Sequence, residues 1–195
     1  MIAIHLIQVA YLHDWQLQQL LTPVTTVSVD LVSGSQQAKD RGDAVRAILE
    51  SINLPGLSPP ICRDAMALVD GGVLNNVPAD VLVNQGADFV IAVDVGSQLP
   101  HEFSRLRDDT PSKKVRPPNA FETLFRAMSV QSHRMNALGA QPADFRIEPD
   151  VSGFALSDFR SAVDIAQAGQ EATERMISDL CQALKKVDPS LVATL

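Results

Sequence analysis

The seven residues Phe89-Val90-Ile91-Ala92-Val93-Asp94-Val95 form an apolar run interrupted by a single acid. A strand with one wet face alternates apolar and polar residues, so a run without alternation has the pattern of a parallel strand covered on both faces. The sequence around it reads as helix. Upstream, Pro78 suits the first turn of a helix, Asn76 is a plausible cap, and Gly86 can take the left-handed conformation that ends it. Downstream, Asn119 and Glu122 resemble a capping box ahead of Phe121, Leu124, Phe125, Met128, Met135 and Leu138, a helix that Gly139 can close.

The same alternation runs through the rest of the chain. Residues 1–21 carry apolar positions at mixed spacing, including Ile7, Tyr11, Trp15 and Leu20, and read as an incomplete helix ended by Pro23. Val24, Val27, Val29 and Leu31, with Thr and Ser between them, predict a strand closed by Ser33-Gly34-Ser35. Asp43 then caps a helix whose apolar face is Val45, Ile48, Leu49 and Ile52, stopped by Leu54-Pro55-Gly56. After a loop holding Pro59 and Pro60, residues 66–69 predict a buried strand that stops at Asp70. Residues 145–148 predict a short strand. A long final helix entered at Ser157 or Asp158 is expected to be buried through Phe159, Val163, Ala166, Met176, Ile177, Leu180 and Leu184. These elements predict an α/β sandwich with a largely parallel sheet. It occupies residues 23–187, between an incomplete helical segment over residues 1–22 and a tail over residues 188–195, with a charged, proline-containing loop over residues 100–118.

Charge excludes one class of function. A net charge of -7 and a pI near 5.0 leave no broad electropositive face, so nucleic-acid binding has no electrostatic support. Cys62 and Cys181 lie far apart without paired spacing, which favours reduced thiols and a cytoplasmic setting. The apolar start lacks the basic region and cleavage site of a signal peptide, and no segment approaches the ~20 apolar residues of a membrane span. Membrane contact is therefore expected to be peripheral. His5, His13, His101 and His133 share no ligand spacing, so no metal site is expected.

The chemistry concentrates in Asp70-Gly71-Gly72-Val73-Leu74-Asn75-Asn76-Val77-Pro78, an acid at a strand end followed by two glycines and a helix start. Open α/β sheets bind ligands at the carboxyl ends of their strands. A carboxylate there can take a proton from a neighbouring hydroxyl, and the glycines keep side chains away from it. An aspartate that simply opens a tight turn has the same pattern. Asp94 also ends a strand, where it could line the site or support a turn.

The string DGGVLNNVPADVL followed by GADFVIAVDV closely resembles the catalytic-aspartate region of patatin-like phospholipases, especially the bacterial and neuropathy-target-esterase-like branches. DAVRAILESINLPGLSPP is similar to the helix and Pro-Gly loop before that aspartate, and ADFRIEPDVSGFALSDF to the last strand and the loop into the final helix. The resemblance runs from about Thr22 to the C-terminal helix. It implies a three-layer sandwich, no cofactor, and hydrolysis of acyl esters in lipids by a serine and an aspartate. Asp70 would be that aspartate, with Gly71, Gly72, Asn75, Asn76, Pro55 and Gly56 shaping the site. With such a substrate, residues 101–118, with Arg105, Arg107, Lys113, Lys114 and Arg116 among acids and prolines, could touch lipid headgroups or serve as a solvated connection. The stripe Phe121, Phe125, Met128 and Met135 could line an acyl pocket or pack in the core.

The sequence departs from the family at the nucleophile. G-x-S-x-G, a serine on a sharp strand-to-helix turn, occurs nowhere in the 195 residues, and the glycine-rich oxyanion loop is absent too. Ser35 is the nearest substitute, but Gln36 and Gln37 follow it where a small residue and a glycine are needed. Both missing elements precede this stretch in the family order, so the expectation is a chain without its first third, inactive alone, whose serine comes from an N-terminal half or partner subunit. The alternative is a noncatalytic remnant that binds acyl ligands or a partner.

Overall fold

A computed structural model describes Leu12 and residues 14–96, 102–103, 106–107, 117–154 and 159–192. By their internal contacts the residues divide into two units, Met1–Asn76 and Val77–Leu195.

The first unit is built on a hairpin. Strand β1 (Thr26–Asp30) pairs antiparallel with β2 (Ser35–Lys39), with Asp30 opposite Ser35. The intervening turn is fixed by Asp30, whose carboxylate accepts hydrogen bonds from the amides of Val32 (3.0 Å) and Ser33 (3.1 Å), and by Gly34 at φ +70°. The same carboxylate accepts from the amide of Ala67 at 2.9 Å. It thereby ties the turn to β4 (Met66–Asp70), which lies antiparallel on the other side of β1. Strand β3 (Ile61–Arg63) completes the order β2-β1-β4-β3, again antiparallel.

Helix α1 (Ala44–Ser51) starts at Asp43, which accepts from the amide of Arg46 at 2.6 Å, as the sequence leads one to expect. Its buried face is displaced by one residue from the predicted stripe. Ala44, Ala47 and Glu50 are buried, whereas Val45, Ile48, Leu49 and Ile52 are half-buried. The small alanines let α1 approach Leu17 and Leu20, and Glu50 is admitted because cations surround it. Of the predicted helix over residues 1–21, Leu12 is helical, but the helix does not continue through residues 14–21. Asp14 stands at φ +64°, residues 17–19 make a single 3-10 turn, and the amide of Leu17 bonds the Gly42 carbonyl at 2.9 Å. Residues 1–11 and 13 lie outside the described residues.

In the second unit, α2 (Ala79–Asn84) follows Pro78 directly and ends before Gly86 at φ +89°. Its N-cap position is Pro78, so Asn76 does not cap it. Strand β5 (Ile91–Val93) runs parallel to β8 (Phe145–Ile147). Helix α3 (Ala120–Gly139) opens on the predicted capping box, with Asn119 Oδ1 accepting from the Glu122 amide at 2.8 Å and Glu122 Oε2 accepting from the Asn119 amide at 2.9 Å. Helix α4 (Ala162–Val187) closes the unit after a 3-10 turn over Phe159–Ser161. Ser157 and Asp158, its predicted start, lie outside the described residues.

Five further expectations are corrected. The described strands do not form a largely parallel sheet: β2-β1-β4-β3 is antiparallel throughout and β5–β8 is a separate parallel pair, since β1–β2 and β3–β4 are joined by loops of four and two residues, too short for the crossover a parallel pair needs. Strand β5 is covered on one face, where Ala92 packs with Val77 and Ala140, while Ile91 and Val93 are exposed. In α3 the predicted stripe is at best half-buried, and Asn136 is its one buried residue. In α4, Leu180 is buried and Met176 and Leu184 half-buried, but Val163, Ala166 and Ile177 are exposed. The loop predicted over residues 100–118 holds a short antiparallel pair, β6 (Glu102–Phe103) and β7 (Leu106–Arg107), among its described residues. No helix among the described residues is long and apolar enough to cross a membrane.

Candidate active site

Asp70 is the last residue of β4, a strand flanked by β1 and β3. Beyond it the backbone turns into a single 3-10 turn over Gly71–Val73, for which Asp70 is the N-cap. Its Oδ1 accepts from the Gly72 amide at 2.8 Å. Burial pushes the Asp70 carboxyl above its ordinary range, and the Gly72 amide opposes this only in part. A partly desolvated carboxylate is a stronger base than one in water, as proton abstraction from a hydroxyl requires.

The two glycines are dictated by crowding. A Cβ on Gly71 would stand 2.5 Å from the Val27 carbonyl oxygen of β1, and one on Gly72 would stand 2.9 Å from Asn76 Oδ1 and 3.2 Å from Asp70 Oδ1. Asn75 extends the arrangement. Its amide bonds the Gly71 carbonyl at 2.9 Å, and its Nδ2 donates to Gln36 Oε1 of β2 at 2.9 Å. Gly71, Gly72, Asn75 and Asn76 thus form one loop directly behind Asp70. Pro55 and Gly56, the latter at φ +84°, belong to a separate turn after α1. Its base is tied to β4 through Asn53, a residue that sequence reasoning missed.

Ser35 stands apart. It faces Asp30 at the other end of the sheet, so two strand spacings and two residues separate it from Asp70, about 12 Å. Its Oγ lies 2.7 Å from Ser33 Oγ, which donates to Asp30 at 2.6 Å. That array has the outline of a serine activated by an acid, but its electrostatics are wrong for a base. The Ser33 hydroxyl, then the Ala67 and Val32 amides, hold Asp30 down at about 2, so it does not take protons near neutrality. Asp30 fastens a turn.

Asp94, in the second unit, also supports a turn. It is buried, and its Oδ1 accepts from the Gly96 amide at 2.9 Å and from Asn136 Nδ2 of α3 at 2.8 Å. His133 Nδ1 lies 3.1 Å from the Gly96 carbonyl oxygen. His5, His13 and His101, with Arg105 and residues 108–116 of the charged segment, lie outside the described residues. Of the predicted acyl-pocket stripe, Phe121 is exposed and packs on Phe125 with ring centroids 4.6 Å apart. Among the described residues no group of three or more His, Cys, Asp or Glu side chains could hold a metal ion.

No family model matches the chain. The chain is 37% identical over 173 residues to patatin-like phospholipase domain-containing protein 6 of Mus musculus, covering 81% of this chain and 13% of that protein. It is 32% identical over 162 residues to an uncharacterized NTE family protein of Mycobacterium tuberculosis, covering 75% of this chain and 27% of that one. To neuropathy target esterase sws of Drosophila melanogaster it is 37% identical over 98 residues, covering 49% of this chain and 7% of that one. The chain therefore spans well under a third of the length of these relatives.

Proposed function

The chain belongs to the patatin-like phospholipase family, and from that footing we propose that Asp70 is the general base of a serine–aspartate pair hydrolysing carboxylic esters of lipids. The observation that carries this reading is the environment of Asp70. It is a strand-end carboxylate raised by burial, with one oxygen held by the Gly72 amide. In the reaction Asp70 accepts the serine proton as the serine oxygen attacks the ester carbonyl, then returns it to the departing alcohol. Water attacks the acyl-serine by the same route in reverse, yielding the fatty acid and free serine. Backbone amides that hold the oxyanion would contribute about 3–4 kcal/mol each.

The 195 residues contain no G-x-S-x-G, so the serine and the oxyanion amides come from polypeptide outside them, an N-terminal half or a partner subunit. In this reading the fold is a three-layer sandwich completed by that polypeptide, and the isolated chain is inactive. The exposed apolar residues Ile91, Val93 and Val95 on one face of β5 support such a partner. The substrate is a lipid acyl ester met at a membrane surface from the cytoplasm, without a cofactor.

The test is an esterase assay with a short-chain nitrophenyl ester and a lysophospholipid. It compares the chain alone with the chain co-expressed with a family segment carrying G-x-S-x-G. Turnover is expected only in the combination, and its loss on Asp70→Asn. Turnover by the chain alone, or a combined activity indifferent to Asp70→Asn, would overturn the reading.

A further inference from the structure

Asn53 follows α1 at the root of the loop over residues 54–60, and it is 1% exposed. Two of its bonds reach the end of β4 and a third reaches the loop. Its carbonyl oxygen accepts from the Asp70 amide at 3.0 Å, and its Nδ2 donates to the Leu68 carbonyl at 3.2 Å and to the Pro59 carbonyl at 3.1 Å.

The reason lies in the prolines. β3 covers β4 only as far as the pair Ile61 and Leu68, because Pro59 and Pro60 precede it and neither has an N–H to offer the ladder. Beyond that pair the Asp70 amide has no strand partner on this side, a cost of about 1–3 kcal/mol for a buried group left unbonded. Asn53 replaces the missing stretch of strand. Its carbonyl accepts from the Asp70 amide where a strand carbonyl would, and its side-chain amide ties the Leu68 carbonyl of β4 to the Pro59 carbonyl of the loop at the point where the ladder stops.

We propose that Asn53 is a positioning residue for Asp70, which fixes the end of β4 and pins the loop over residues 54–60 against it so that the carboxyl group stays in its half-buried setting. The proposal rests on the reading of Asp70 as the base, but it is tested without turnover. Asn53→Ala removes the side-chain donor shared by the Leu68 and Pro59 carbonyls and so unties the loop from β4. Asn53→Ser keeps one shorter donor.

The readouts on the 195-residue chain are the titration of the Asp70 carboxyl by carbon NMR and the hydrogen exchange of backbone amides. In Asn53→Ala the Asp70 midpoint should fall towards that of an ordinary aspartate, and the Asp70 amide should exchange about tenfold faster, the loss expected for two hydrogen bonds. Amides of the β1–β2 hairpin should keep their protection, and Asn53→Ser should fall between wild type and Asn53→Ala. A residue that merely stabilised the fold would lower the denaturation midpoint and leave the Asp70 titration unmoved. An unmoved titration in a folded Asn53→Ala, or in Asn53→Ser should the alanine variant not fold, overturns the proposal, as does failure of both to fold. The two readings separate in the esterase assay. Activity indifferent to Asp70→Asn removes the base and leaves the Asn53 titration result standing.

Discussion

Ser28 on β1 stands directly opposite Asp70 on β4, so the two side chains leave the sheet on the same face. Residues paired in this way have Cβ atoms about 5 Å apart, which makes Ser28 the closest strand hydroxyl to the acid. Proximity does not make it a nucleophile. Ser28 is 3% exposed, lies between Val27 and Val29 on an uninterrupted strand, and has neither the strained turn nor the following helix that presents a reactive serine.

A serine-directed fluorophosphonate should therefore leave the isolated chain unmodified. Intact mass spectrometry after prolonged incubation checks this. An adduct on Ser28 that disappears in Asp70→Asn would show that the chain carries its own nucleophile, and the two-part reading would fail.

Replacing the acid should stabilise the fold. The native Asp70 carboxyl titrates above its ordinary value of 3.8 because burial penalises its charge. Below the unfolded value both states are protonated and no penalty exists. As pH rises through the native value, ionisation of Asp70 takes stability away. Asp70→Asn carries no charge, so its melting temperature should exceed that of wild type at neutral pH, and the gap should shrink as pH falls towards about 4. A gap that is absent at neutral pH, or that widens in acid, would contradict the assignment of a desolvated carboxylate.

The glycines after Asp70 should differ in their tolerance of a methyl group. At Gly71 the obstacle is the backbone of β1, 2.5 Å away, which moves only with the strand. Gly71→Ala should cost about 1–3 kcal/mol in urea denaturation. At Gly72 the nearest atoms are the side-chain oxygens of Asn76 and Asp70, and Asn76 is exposed and able to turn away. Gly72→Ala should cost less stability but displace the carboxylate, so its larger effect should appear in the Asp70 titration. Equal stability losses would be the wrong outcome.

The sequence announces Asp70 well and its supports poorly. An apolar run that stops at Asp-Gly-Gly is legible because a strand and its terminator differ in composition. β2 is not, since Ser35–Lys39 is mostly polar and nowhere fully buried on its edge, where periodicity carries no core signal. β3 was hidden by its turn. Asp64 and Ala65 take φ +49° and +62°, the left-handed pair of a two-residue hairpin, without the glycine that marks such turns. Asn53, beside a Leu-Pro-Gly breaker, reads as one more turn residue until the carbonyls around it are known. The parallel character read into residues 89–95 holds for β5 and β8, where backbone direction follows from a helical connection. It fails for β1–β4, because hydrophobicity along one strand does not reveal the direction of its neighbour.

Glu50 shows the same blindness and leads to the sharpest test of the first unit. A glutamate in an amphipathic helix reads as solvated, yet its side chain is fully buried. It pairs with Lys39 of β2, with Arg63 Nε of β3 at 2.7 Å, and with Arg46 Nε of its own helix at 3.6 Å. The acid therefore clasps both outer strands of the sheet to the helix whose end carries Asn53. Removing Arg63, itself 19% exposed, strips a close partner from a buried charge and should cost about 3–5 kcal/mol. Arg46→Ala should cost under about 1 kcal/mol, since Arg46 is 56% exposed and its contact is long. Once Glu50 is replaced by Gln, Arg63→Ala should cost less than it does in wild type, because the charge it compensates is gone. Urea midpoints of the single and double variants decide the matter. Additive losses, or an Arg46→Ala effect as large as that of Arg63→Ala, would mean that the clasp does not hold the sheet as its geometry indicates.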